Sequence, residues 1–356
     1  MKDILKDTLK DKALHLLMDL IETPSFSKEE DKTADLLEAF LQSEGVETIR
    51  ENNNVWAFNE DFDTARPCIL LNSHHDTVKP NKGYTRDPHK AEIIDDRLYG
   101  LGSNDAGGAL VGLISAFLYF YRKKDMRYNL ILLASAEEEN SGELGIRSVV
   151  PKLPEIDFAI VGEPTQMNLA IAEKGLLVLD CYARGTAGHA AHVREDYAIY
   201  KAMRAIKWFE TFTFDKISET LNDTKMTVTQ IEAGKQHNVV PSVCHFVVDI
   251  RVNDHYSNQE VVEIVQKSVD VEVVPRSVRL NSSSIPKEHP IVKAGERLGR
   301  TLYGSPTLSD QANLSCPSLK LGPGDSLRSH TADEYLHVSE FNKGIDLYIK
   351  LLEEIL

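Results

Sequence analysis

Cysteine is scarce, with four residues in 356. Cys68, Cys181, Cys244 and Cys316 lie far apart and form no C-x-x-C pair, which argues against a disulfide framework or a cysteine-held zinc. Positive charge is not in excess either: 40 basic side chains face 55 acidic ones, and the net charge of −15 disfavours nucleic acid or an anionic membrane as partner. Long apolar runs are missing. The longest, residues 106–121, falls short of the roughly 20 residues that cross a bilayer. Residues 1–20 intersperse lysine and aspartate with leucine at helical spacing, unlike a signal or transit peptide, so a cytoplasmic protein with reduced thiols is expected. What remains is 42% apolar and 27% charged residues, the composition of a soluble globular chain, long enough for two domains or one domain with an insertion.

The first half alternates short apolar runs with helical periodicity. Residues 14–21, 33–43 and 108–121 read as helices, and 68–72, 130–135 and 158–161 as buried strands; strand 319–321 and helix 339–355 resume that style at the end. This rhythm predicts an α/β fold, a mostly parallel sheet covered by helices, over residues 1–172 and 284–356. Between them the texture changes. Residues 175–183, 226–231 and 244–252 alternate like half-exposed strands, with helical stretches at 197–213 and 258–268, which predicts an inserted α+β domain over residues 173–283. The polar run Asn281-Ser282-Ser283-Ser284 before Pro286 reads as the return linker.

Polar groups cluster where the strands of the larger domain end. Strand 68–72 runs into Ser73-His74-His75-Asp76, strand 130–135 into Glu137-Glu138-Glu139, strand 158–161 into Gly162-Glu163-Pro164, and strand 319–321 into Gly322-Pro323-Gly324, with His330 a few residues on. In open parallel sheets ligands bind beyond that edge, so four distant segments converge on one crevice. Each motif has a plainer explanation alone: a capped turn for His74 and Asp76, a solvated helix start for the glutamates, a helix cap for Asp105, and surface positions for Glu163 and His330. A glycine-rich nucleotide loop at residues 100–105 fails, because Asp105 stands where the third glycine is required and would repel pyrophosphate. Together, two histidines and several carboxylates without a thiolate suit zinc, cobalt or manganese.

The set His74-x-Asp76, Gly100-x-Gly-x-x-Asp105, Glu138-Glu139, Gly162-Glu163-Pro164-Thr165 and His330 resembles the di-zinc M20 aminoacylase and carboxypeptidase family, in order and spacing, over essentially the whole chain. The closing segment from Leu321 through His330 to Leu336 is most similar to acetylornithine deacetylase and its lysine-pathway relatives. The resemblance implies two divalent ions, zinc before cobalt or manganese. Asp105 would bridge them, with His74 and Glu163 on one ion and Glu139 and His330 on the other. Glu138 would be the general base and Asp76 would orient His74; a register in which Glu137 and Glu138 take the two glutamate roles is the alternative. His75 and Glu137 are expected to point elsewhere.

The inserted domain carries a second matching set. Gly185-Thr-Ala-Gly-His189-Ala-Ala resembles a lid motif whose histidine reaches a partner subunit's active site, which implies a homodimer formed through this lid and His189 polarising the scissile carbonyl. Asn238-Val-Val-Pro241 and Asp249-Ile-Arg251 resemble substrate-contacting segments, with Asn238 and Arg251 gripping the oxyanion or a carboxylate; an edge-strand ion pair is the plainer role for Arg251. The chain departs from the family at Gly107, where lysine is usual, and at Val193, where proline is common. The implied reaction is hydrolysis of an N-acyl amino acid, N-acetylornithine to ornithine plus acetate, as in arginine biosynthesis. N-succinyl-ornithine, N-succinyl-diaminopimelate and N-acyl-lysine deacylases, a di- or tripeptidase, and an inactive binding protein on the same fold are the alternatives. For a succinyl tail, Arg328 is the candidate cation.

Overall fold

The computed structural model describes residues 2–192 and 196–356; Val193 lies outside them. By internal contacts the chain divides into a larger unit, Met1–Ile171 with Ile285–Tyr303 and Ser309–Leu356, and a smaller unit, Ala172–Ser284 with Gly304–Leu308. Gly304 joins the smaller unit because its backbone runs against Thr220: an added Cβ would lie 2.2 Å from the Thr220 carbonyl oxygen.

The larger unit is built on a mixed, mostly parallel sheet. Strand β1 (Asn54–Phe58) runs antiparallel to β3 (Asn129–Ser135). Strand β2 (Cys68–His74) lies parallel between β3 and β4 (Ile156–Val161), and β5 (Ser318–Lys320) adds parallel to β4. Every residue of β2 and β3 is buried, the burial expected of continuous apolar runs in a sheet covered on both faces. Alternate side chains serve the two faces. Ile69 and Leu71 enter the main core with Leu130 and Leu132, whereas Cys68, Leu70, Ile131 and Leu133 pack with Trp56 and Ile146 beneath.

Helices α1 (Lys2–Glu22), α2 (Asp31–Ser43), α3 (Gly108–Phe120) and α4 (Val338–Glu353) belong to this unit. Helix α3 is apolar on nearly every side because α1, α4 and β2 all pack on it, and Phe117 and Phe120 are wholly buried. An added Cβ at Gly108 would come within 2.4 Å of Leu336 and 3.0 Å of the Ser103 carbonyl oxygen, so glycine permits the close approach at the start of α3.

The smaller unit is a four-stranded antiparallel sheet in the order Lys225–Ala233, Val243–Val252, Gly175–Arg184, Glu272–Pro275. Strand Gly175–Arg184 alternates buried and half-buried residues. Its inward residues Leu177, Leu179, Cys181 and Ala183 share a core with Ala198, Ala202 and Phe209 of helix Ala198–Thr211 and with Val261 and Val265 of helix Asn258–Ser268. Alternation of this kind marks a sheet covered on one face only. The four cysteines are free thiols. Among the described residues no helix is long and apolar enough to cross a membrane.

Candidate metal centre

The parallel strands of the larger unit end together, and their next residues turn inward over one edge of the sheet. His74 is the last residue of β2; Glu138 and Glu139 follow β3, and Glu163 follows β4. Gly162 lets that third segment settle against β2, where an added Cβ would stand 2.8 Å from Ser73 Cβ, and its carbonyl accepts the Ser73 hydroxyl at 2.8 Å. Asp105 arrives on the loop before α3. It does not cap that helix, whose preceding residue is Gly107, and the three glutamates start no helix.

His74 Nε2 lies 3.3 Å from Asp105 Oδ1 and 4.0 Å from both Glu138 Oε2 and Glu163 Oε1. His330 Nε2 is 3.1 Å from Glu139 Oε1 and 3.6 Å from Asp105 Oδ2. Asp105 thus turns one carboxylate oxygen to each imidazole. Atoms of His74, Asp105 and Glu139 all fall within 4.8 Å of one another. His330 has φ +59°, a left-handed conformation that costs a non-glycine residue on the order of 1 kcal/mol. The Asn81 side chain helps hold it there, donating to the His330 carbonyl at 3.1 Å.

Buried carboxylates frame these groups. Asp76 is wholly buried: Oδ1 accepts from the Glu138 amide at 3.0 Å, and Oδ2 from the Glu139 amide at 3.2 Å and the Ser27 hydroxyl at 2.7 Å. The Glu137 amide donates to buried Glu30 at 3.2 Å, so each amide of the triple glutamate meets a carboxylate. His75 and Glu137 turn away from the cluster. His75 is held by Thr33 at 2.9 Å and the Asn53 carbonyl at 2.8 Å, and the Glu137 side chain accepts from the Leu144 amide at 3.3 Å.

The electrostatics are those of crowded anions. Burial, reinforced by the charges of Glu163, Asp310 and Glu139, pushes the Glu138 carboxyl well above its usual range against the pull of His74. Burial and the Asp105 charge push Glu163 up to about 8. The hydrogen bond to Glu139 raises His330 to about 9. Asp76 stays below the usual range despite burial, because His74 and Ser27 hydrogen-bond its anion. These groups fit a divalent metal. Against burial, the Asp105 and Asp76 carboxylates raise His74 well above the usual imidazole value, so the metal-free ring keeps a proton on Nε2. Nδ1–H faces the Asp76 carbonyl oxygen at 3.0 Å, and a metal would take the place of the Nε2 proton among mutually repelling carboxylates. A cation between them turns that repulsion into coordination. Imidazole and carboxylate without thiolate suit zinc, cobalt or manganese.

Sequence reasoning missed Glu30 and two further buried acids here. Glu334 Oε1 accepts the amides of Asn104 at 2.9 Å and Asp105 at 3.0 Å. Asp310 Oδ2 accepts from Ser135 at 2.6 Å and Asn72 at 3.0 Å. Glu334 stands four residues after His330, a spacing that offered a weak signal; Asp310 offered none. Arg328, considered as a cation for a succinyl tail, is engaged otherwise. Its guanidinium pairs with both oxygens of Glu340, at 2.7 and 3.2 Å, and lies over the Tyr335 ring.

In the smaller unit, Gly188–His189 pairs antiparallel with Val239–Val240, and the Asn238 carbonyl accepts from the Ala190 amide at 2.9 Å. His189 and Asn238 therefore share one tip of that unit. Arg251 does not join them. It pairs with Leu176 at the far end of the strand whose near end, Val243, pairs with Arg184, roughly 27 Å along at about 3.4 Å per residue. Its guanidinium grips Asp249 on the same strand at 2.8 and 3.1 Å.

Residues 70–354 match the model of peptidase family M20/M25/M40. The chain belongs to that family. It is accordingly a metallohydrolase of amide bonds, acting on acylated amino acids or peptides. It is 26% identical over 370 residues to a [LysW]-lysine/[LysW]-ornithine hydrolase of Saccharolobus solfataricus, covering 98% of each chain. It is 23% identical over 378 residues to a succinyl-diaminopimelate desuccinylase of a Ruegeria species, covering 96% of this chain and 94% of the other. Its fold is similar to that of an M20 family metallo-carboxypeptidase from Sulfolobus solfataricus, with a TM-score of 0.76 at 17% identity over 96% of this chain and 98% of that one.

Proposed function

We propose that this M20 hydrolase removes the acyl group from an N-acylated diamino acid, using two divalent ions, zinc before cobalt or manganese. Asp105 would be shared between the ions, His74 and Glu163 would help hold one, and Glu139 and His330 would help hold the other. The observation that carries this reading is the opposed aim of the two Asp105 oxygens, 3.3 Å from His74 and 3.6 Å from His330. When bound, the ions polarise the amide carbonyl and acidify a water toward neutral pKa.

The side chains do the rest. Glu138 faces the same space as His74 Nε2 but stands outside the five ligand positions, so its carboxylate is free to take the water's proton and deliver it to the leaving amine nitrogen. Burial otherwise protonates Glu138, and with cations held beside it the carboxylate would stay ionised and act as a base. Asp76 orients His74, whose Nδ1 lies 3.0 Å from its carbonyl oxygen and 3.5 Å from its carboxylate, and also fixes the tilt of Glu138 and Glu139 through their amides. His189 polarises the scissile carbonyl and Asn238 binds the oxyanion, within a homodimer formed through the smaller unit. Arg251, gripped by Asp249, takes the substrate's carboxylate only by leaving that partner.

N-acetylornithine is the first substrate to test. The names of the two sequence relatives support a second reading within the same chemistry, with N-succinyl-diaminopimelate or an acylated lysine as substrate. The test is a turnover screen of N-acetyl and N-succinyl derivatives of ornithine, lysine and diaminopimelate beside Gly-Gly-type peptides, on metal-free protein restored with one metal at a time. Turnover of an acylated diamino acid is expected; exclusive cleavage of free-amino peptides overturns the substrate class. Protein that binds metal and hydrolyses nothing in the screen points instead to ligand capture.

A further inference from the structure

Asp105 must present two oxygens in different directions, so the frame of its backbone matters as much as its side chain. That frame is fixed from one side. Glu334 is buried to 1% exposure, and its Oε1 atom takes the N–H of both Asn104 and Asp105, at 2.9 and 3.0 Å. The Glu334 carbonyl oxygen accepts the Gly100 amide at 3.0 Å, so both ends of the 100–105 loop are tied to one residue. The preceding residue, Asp333, anchors the segment that carries Glu334. Asp333 accepts the amides of Thr85 and Arg86 at 2.9 and 3.0 Å and the Thr85 hydroxyl at 2.6 Å. The segment that carries His330 into the cluster thus also carries the acceptor that sets Asp105.

We propose that Glu334 is a positioning residue for the metal centre, fixing the Asp105 backbone so that its two carboxylate oxygens face His74 and His330. This rests on the two-ion reading above. Glu334 touches neither substrate nor metal; it acts through Asp105, by holding two successive amides on one buried carboxyl oxygen. Residues that orient a ligand in this way are generally worth about 10- to 100-fold in metal affinity.

The test compares wild type with Glu334→Ala, Glu334→Gln and Asp333→Asn by calorimetric titration with zinc, by the visible spectrum of cobalt-loaded protein, and by kcat and KM. Glu334→Ala is expected to bind at least one ion at least ~10-fold more weakly, to alter the cobalt bands and to lower kcat with KM little changed. Glu334→Gln keeps an acceptor oxygen and is expected to recover most of both. Asp333→Asn loosens the same segment without touching Asp105, and is expected to lower the unfolding temperature while weakening metal binding less than Glu334→Ala does. Wild-type affinity and cobalt bands in Glu334→Ala overturn the proposal. So does loss in Asp333→Asn equal to that in Glu334→Ala, which would make the role merely structural. Should Glu334→Ala fail to fold, Glu334→Asp, which draws the acceptor oxygen back by one methylene, takes its place, and wild-type metal affinity and cobalt bands in that variant overturn the proposal. A wild type that binds no divalent ion at all fails the two-ion reading instead, a distinguishable outcome.

Discussion

At Asp76 one buried carboxylate meets the Ser27 hydroxyl, the amides of Glu138 and Glu139 and, at 3.5 Å, the His74 ring. An asparagine there keeps one acceptor and turns a donor toward an amide or hydroxyl that needs an acceptor, leaving a buried polar group unpaired. Asp76→Asn is therefore expected to weaken zinc binding about 10- to 100-fold, read by titration against a chelator; unchanged affinity would remove Asp76 from the frame. Glu138→Ala separates chemistry from binding. It deletes the proton carrier and none of the five proposed ligands, so turnover is expected to fall at least ~100-fold with metal content retained, and near-wild-type turnover would refute the assignment. His74, Asp105, Glu138, Glu139, Glu163 and His330 were legible in the sequence, as each lies in a motif and most directly follow a buried strand. Glu30, Asp310 and Glu334 were not, because their partners lie 107, 175 and 229 or 230 residues away and a lone acid says nothing of a distant amide.

Among the elements, α3 shows why apolar character need not mean membrane. It is buried on nearly every side by α1, α4 and the sheet. Its first turn is set by Gly108, where an added methyl would sit 2.4 Å from Leu336. Gly108→Ala is expected to destabilise the protein by about 1–3 kcal/mol through overpacking, measured by urea unfolding; a neutral effect would mean that Leu336 moves aside freely. The buried strands β2 to β5 were readable because apolar runs of that length, bounded by polar residues, have few other outlets. The antiparallel ribbon of Glu92–Ile94, Arg97–Tyr99 and Tyr335–His337 was not. Each of its strands has three residues, too few for any period to show, and Tyr335–His337 is recruited from far along the chain. Helix Pro290–Arg297 escaped notice for the same reason of length.

Across the molecule, the metal-free centre should carry a pH signature. Glu163 and Glu334 have their carboxyls raised by burial to about 8, and His330 is raised by Glu139 to about 9. All three bind protons more tightly folded than unfolded. Their contribution is full below the unfolded values near 4.5 and 6.5 and is lost as pH rises through 8 and 9. Metal-free protein is thus expected to unfold at progressively lower temperature from about pH 5 to pH 9, and added zinc to raise the unfolding temperature most at the alkaline end, as binding displaces those protons. A metal-free protein that gains stability over that range would contradict the charge arrangement. The most direct measurement of the central claim is the number of divalent ions bound per chain, in wild type and in Asp105→Ala. Two ions in wild type, with neither held tightly once the bridging carboxylate is gone, is the expected result. No bound ion in wild type, or two still tightly held by Asp105→Ala, would contradict it.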